Sequence, residues 1–204
     1  MSKALEDFRV VSNFVEKIAK GEIEIYNEFS LQHEMGIILR SKFPDYKVQF
    51  ERNVSFFSLT GEFIKSEIDI VIYSQKKQKQ PTLHYAIELK FPRNGQYPEQ
   101  MFSCCKDILF AEQLKKRESK RGFERTFLII LADNHLFYES KNCDGIYGYF
   151  RAGKELSGFI KKPTGPEEEK EKRGIKLGGK YNIEWLPVVQ NDVLKYKYAV
   201  IEAL

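Results

Sequence analysis

Glu88-Leu89-Lys90, read with Asp69 upstream, is the group of residues in this chain best equipped for chemistry. Both motifs lie in runs that alternate as strands do. Within 67–73, Ile68, Ile70 and Ile72 share one face, and Glu67, Asp69, Val71 and Tyr73 share the other. Within 83–91, Leu83, Tyr85, Ile87, Leu89 and Phe91 stand against His84, Ala86, Glu88 and Lys90. Residues two apart on a strand project to the same side, so Glu88 and Lys90 share a face. The polar, lysine-rich connection 74–82 makes the two runs an expected antiparallel pair. Asp69 and Glu88 then converge on one side of a sheet with an ammonium group alongside.

A third carboxylate fits the pattern. Glu34 lies three residues after Leu31 and four before Ile38, which puts it within or at the edge of a helical apolar stripe. An inward carboxylate is costly unless it is paired or holds a metal. Convergent carboxylates repel one another, and a divalent cation removes that repulsion. Oxygen donors with no cysteine or histidine cluster favour Mg²⁺ or Mn²⁺ over Zn²⁺. Phosphodiester hydrolysis uses these residue types: a cation polarises the phosphate and lowers the pKa of water, and a lysine adds fixed positive charge. Taken singly, each residue is an ordinary charge on a solvated face; it is the combination that points to a site.

Several elements must position these groups. An amphipathic helix is expected at 4–20, with Leu5, Phe8, Ser12, Val15, Ile18 and Ala19 on its stripe and Gly21 as its stop. A second helix, 30–42, is capped by Ser30, buries Leu31, Met35, Ile38 and Leu39, and is ended by Pro44. A strand or bent hairpin occupies 46–59. After the two alternating runs, Pro98 opens a helix reaching to about 118. The apolar run 126–132 reads as a strand covered on both faces, and strand, helix, strand suggests a right-handed crossover. Strands are expected at 146–150, 181–189 and 196–201, with a mobile, charged loop at 161–180.

Helix Glu34, strand Asp69 and the strand motif Glu88-Leu89-Lys90, in that element order, resemble the active-site signature of the PD-(D/E)XK nuclease superfamily. The resemblance covers about 28–134 and implies an α/β, restriction-endonuclease-like α-β-β-β-α-β core with a mixed central sheet flanked by helices. The N-terminal helix and a C-terminal β-rich elaboration, 135–204, lie outside it within one domain. Ile68 stands where the name-giving proline would be. The resemblance implies that Asp69, Glu88 and the backbone carbonyl of Leu89 hold a metal. It assigns Glu34 to a second metal or a metal-bound water, and Lys90 to the attacking water and the phosphate charge. It also implies a role at the phosphate or metal water for Gln100, with Tyr97 and Asp107 as weaker candidates on the same helix. Asp107 could equally cap the helix or pair with a lysine. Arg93-Asn94-Gly95 follows the catalytic strand, where a loop is placed to meet nucleic acid.

The remaining composition narrows the field. The net charge of +4 permits a polyanionic partner, and 42% hydrophobic residues suffice for a core. Basic clusters occur at Lys76-Lys77-Gln78-Lys79, at Lys115-Lys116-Arg117 with Lys120-Arg121, and at Lys170-Glu171-Lys172-Arg173. Cys104, Cys105 and Cys143 form neither a zinc nor a disulfide pattern and read as buried thiols. No signal peptide or bilayer-length apolar stretch is evident, so a cytoplasmic location is expected. The expected activity is therefore a Mg²⁺- or Mn²⁺-dependent DNA endonuclease of restriction, defence or repair type, and cleavage of both strands of a duplex would favour a homodimer. The alternatives are a catalytically inactive nucleic-acid-binding module and a subunit of a larger defence complex.

Overall fold

The computed structural model describes residues 3–75, 79–93, 95–117 and 120–204, with side chains of the first helix described from Arg9 onward. The Lys76-Lys77-Gln78 cluster, Asn94, and the Leu5 and Phe8 side chains lie outside what is described.

The chain opens with helix α1 (Lys3–Ala19), after which Gly21 takes a φ of 74° that suits glycine and ends the helix. The buried stripe of α1 is Val10, Val11, Phe14 and Ile18, one step round from the expected Ser12 and Val15. Helix α2 (Glu28–Lys42) starts two residues before the expected boundary. Asn27, not Ser30, is its cap: Ser30 N–H donates to Asn27 Oδ1 at 2.7 Å, and Ser30 Oγ accepts from Asn27 N–H at 3.0 Å. Ser30 is thus the return half of a capping box, a role a serine three residues past an asparagine performs well.

Strand β1 (Lys47–Asn53) runs into a 3-10 turn (Val54–Phe57). Strands β2 (Glu67–Ser74) and β3 (Thr82–Lys90) follow and pair antiparallel, as the alternation required. Helix α3 (Tyr97–Leu114), with proline in its first turn, leads to β4 (Arg125–Ala132), which lies parallel to β3. Every residue from Thr126 to Ala132 is buried, as a strand covered on both faces must be.

The last third departs most from expectation. Short helices α4 (His135–Tyr138) and α5 (Tyr147–Arg151) come first. The expected strand at 146–150 is helical because Ile146 and Phe150, four apart, both turn into the core. After strand β5 (Leu156–Ile160), helix α6 (Glu167–Lys172) and strand β6 (Ile175–Tyr181) replace much of the expected loop at 161–180. Its charged composition masked a period-two core, since Ile175, Leu177 and Tyr181 are all buried. The expected strand 181–189 is split, because β6 pairs with β5 in a separate two-stranded sheet while β7 (Leu186–Gln190) joins the main sheet beside β8 (Val193–Glu202). Trp185 spans the gap, donating Nε1–H to the Phe150 carbonyl at 2.7 Å.

The main sheet has six strands in the order β1-β2-β3-β4-β8-β7, mixed in direction through the single parallel pair β3–β4. Its two faces carry different cores. Phe14, Leu31 and Met35 from α1 and α2 pack on Ile70, Ile72, Tyr85, Ile87, Leu89 and Phe127. On the other face Cys104, Cys105 and Ile108 from α3 pack on Leu128 and Ile130, and Phe110 on Val71, Tyr73 and Ala86. Ile68 joins this second side, with Phe57 and Val71, so the isoleucine alternation breaks at its first member. The architecture is α/β with helices flanking a mixed sheet. No helix among the described residues is long and apolar enough to cross a membrane.

Candidate functional site

The division of the sheet into two faces decides what surrounds the acidic residues. Ile87 and Leu89 point toward α1 and α2, so Glu88 and Lys90, between and after them, point toward α3. Asp69, flanking Ile70, does the same. The two carboxylates meet there: Asp69 N–H donates to Glu88 Oε1 at 3.3 Å, and Asp69 Oδ2 accepts Leu89 N–H at 2.7 Å. Glu88 is 1% exposed, a buried acid in the middle of a sheet.

Helix α3 adds a third acid. Asp107 is buried, with Oδ1 at 2.9 Å from Lys65 Nζ and Oδ2 at 3.4 Å from Lys90 Nζ. Lys65, in the segment leading into β2, also binds Glu88 Oε2. Lys90 reaches further, to Glu28 Oε1 at 3.4 Å, while Glu28 Oε2 accepts Phe91 N–H at 3.1 Å. Four carboxylates (Glu28, Asp69, Glu88 and Asp107) thus surround two ammonium groups, leaving two formal negative charges unbalanced.

The ionisation of the cluster follows first from burial and then from the neighbouring charges. Burial pushes the Asp69 carboxyl up to about 6, against the pull of Lys65 and the Leu89 N–H bond. Burial, then the neighbouring Asp69, raise Glu88 well above the usual carboxylate range. Burial opposes charge on both lysines, but the acids outweigh it: Glu88, Asp107 and Asp69 raise Lys65, and Asp107 and Glu28 raise Lys90. Both lysines are therefore held as cations. Cys104, fully buried beside Lys90 and Asp107, has its thiol pushed up chiefly by burial, which keeps it a neutral packing group.

Glu34 is not brought into this cluster. It sits on α2, which covers the opposite face of the sheet, and its Oε1 lies 3.7 Å from Nδ1 of its neighbour His33. The α2 acid that reaches Lys90 is Glu28, six residues earlier and roughly 120° round the helix from Glu34. It does so from the first turn, around the end of β3, while Gln32 donates Nε2–H to the Asp69 carbonyl at 3.0 Å. The Leu89 backbone enters through its N–H, which holds Asp69.

The weaker candidates lie at the rim. Gln100 is on the first turn of α3, seven residues before Asp107 and hence near the same face. Arg93 forks onto Asp133 Oδ2 at 3.3 and 2.7 Å and donates to the Tyr26 carbonyl at 2.8 Å, so it clamps three loops together. With Tyr97, Pro92, Gly95 and Asn134 it lines an open pocket of about 230 Å³. All three cysteines are free thiols; Cys104 and Cys105 are buried as expected, whereas Cys143 is only partly so.

Sequence reading underweighted Asp107 and did not single out Lys65 or Glu28. Asp107 had a signal, since it falls in phase with Cys104 on a buried helix face. Lys65 had none: it precedes β2 in an irregular segment, where no periodicity assigns a direction.

Among the described residues, no group of three or more histidine, cysteine, aspartate or glutamate side chains is disposed to hold one metal ion. Comparison with protein-family models, with curated proteins and with solved structures returns no match.

Proposed function

We propose that this chain is a divalent-metal-dependent nuclease, acting most readily on DNA, with Asp69, Glu88 and Lys90 at its centre. The observation that carries the reading is the meeting of Asp69 and Glu88 on the α3 face, with Lys90 linked to Glu88 through Asp107 and Lys65. Both carboxyls are pushed up first by burial, so a cation held between them would favour their ionised forms. The donor set fits Mg²⁺ or Mn²⁺: hard carboxylate oxygens, with two acids enough when water and substrate phosphate complete the sphere. Asp69 and Glu88 would hold the ion, and when bound it would supply Lewis acidity and a more acidic water.

The chain's own groups divide the remaining work. Lys90 is locked as an ammonium between Asp107 and Glu28, so it stabilises phosphate charge and does not accept a proton. The Leu89 N–H fixes one oxygen of Asp69, which aims the carboxylate before substrate arrives. Glu28 ties the start of α2 to the end of β3, so the rim carrying Tyr26 and Arg93 is anchored to the same strand as Lys90.

A second reading has its own observation. Lys65 already neutralises Glu88, as a residue would in a fold that kept nucleic-acid binding and lost catalysis. One experiment separates the two. Plasmid and single-stranded DNA are incubated with Mg²⁺ or Mn²⁺ and wild type, Asp69→Ala or Lys90→Ala. The nuclease reading expects cleavage by wild type and a loss of at least about 100-fold in each variant. Cleavage that survives Asp69→Ala removes the site assignment, and DNA retention without cleavage leaves the binding module.

A further inference from the structure

Lys65 and Lys90 share one acid, Asp107, but are mounted differently. Lys90 is on a central strand, nearly buried, and held by Asp107 and Glu28. Lys65 comes from the irregular segment between the 3-10 turn and β2, and 31% of its side chain faces solvent. Its ammonium contacts Glu88 Oε2 and, at 2.9 Å, Asp107 Oδ1. Glu88 Oε1 is already engaged by Asp69 N–H at 3.3 Å, so Oε2 is the oxygen open to a cation, and Lys65 takes it.

We propose that Lys65 is an internal counter-cation that competes with the divalent ion for Glu88: it holds Glu88 and Asp107 together in the metal-free protein and withdraws to Asp107 when the ion enters. The proposal rests on the metal-dependent reading above. Its physical basis is the burial of Glu88, because an ionised carboxylate in the middle of a sheet that accepts one long N–H bond, unlike one enclosed by neutral donors, needs a cation beside it. A partner on a stiff strand would block the ion permanently. One on an irregular segment, with water at its back and a second carboxylate in reach, can leave Glu88 without losing all compensation. Asp107 is the relay: it contacts both lysines, so the withdrawn Lys65 and the fixed Lys90 share it.

The test uses the full chain without nucleic acid. Mn²⁺ binding is measured by titration calorimetry at pH 8 for wild type, Lys65→Met and Lys65→Arg, and metal-free melting is measured for each. Removing a cation that sits on the ion's own ligand should tighten Mn²⁺ binding about tenfold in Lys65→Met, while the metal-free protein melts lower. Lys65→Arg keeps the charge and should bind Mn²⁺ no more tightly than wild type. Unchanged or weaker binding by Lys65→Met overturns the proposal and leaves the metal site standing. Absence of Mn²⁺ binding by wild type overturns both. If Lys65→Met does not fold, lysine acetylation of wild type mapped by mass spectrometry decides: saturating Mn²⁺ should increase modification of Lys65 and not of Lys90, and equal modification of Lys65 with and without Mn²⁺ overturns the proposal.

Discussion

Helix α3 carries two buried acids five residues apart, Asp107 and Glu112, and they are compensated in opposite ways. Glu112 is enclosed by fixed donors: Gly178 N–H reaches its two oxygens at 3.1 and 2.9 Å, Gly179 N–H at 2.7 Å and the Tyr181 hydroxyl at 2.7 Å. Burial, then Glu112, raise the Tyr181 phenol, which keeps it a donor. Asp107, roughly 140° round the same helix, meets the ammonium groups of Lys65 and Lys90, at the ends of flexible side chains. Backbone N–H groups cannot leave, so Glu112 is committed to joining β6 to α3. Lysines can leave, so the Asp107 cluster can exchange one cation for another. The way a buried carboxylate is satisfied thus separates an architectural acid from an exchangeable one.

The largest expected effect attacks the architectural side. Glu112→Ala strands two backbone donors and a hydroxyl in a buried place, which should cost about 4 kcal/mol and lower Tm by roughly 10 °C. Urea denaturation with and without Mn²⁺ should give the same loss, and a metal-dependent loss would break the comparison.

The exchangeable side should respond in the opposite sense. The Asp69 carboxyl is raised from 3.8 to about 6, so the folded state holds its proton more tightly than the unfolded chain does. Between those values stability falls as pH rises, and above them ionised Asp69 costs up to about 3 kcal/mol. Asp69→Asn keeps an acceptor for Leu89 N–H and removes that charge. Without metal it should therefore be more stable than wild type at pH 8, with the advantage gone below about pH 4. A melting series across that range checks this, and a variant less stable than wild type at pH 8 would show Asp69 to be structural.

A smaller effect tests how tightly the Glu112 cage is shaped. A Cβ at Gly179 would overlap the Tyr181 hydroxyl, whereas one at Gly178 meets Glu112 no closer than 3.6 Å. Gly179→Ala should lose about 2 kcal/mol and Gly178→Ala markedly less, read as the difference in urea midpoints. Equal losses would mean the cage tolerates displacement of Tyr181.

Local periodicity made a good part of this protein legible. The alternation of 67–73 and 83–91 established an antiparallel pair with Asp69, Glu88 and Lys90 on a common side, because a strand's side-chain period is fixed at two. The unbroken apolar run after Arg125 established a strand buried on both faces. Composition misled at 161–180, where charges in α6 outweighed the alternation of β6, and at 146–150, where three aromatic residues suited either a strand or a helical turn.

What the sequence could not determine was which helix covers which face. The phase of Glu34 showed an acid near the inner side of its helix, but α2 lies on the isoleucine face and the carboxylates point to α3. Only the tertiary arrangement made Asp107 the third buried acid, brought Glu28 around the strand end to Lys90, and placed Lys65 on Glu88. Those contacts join residues 17 to 63 positions apart, too far for local periodicity to reach. Periodicity tells a side chain its own face, and packing alone decides what it meets there.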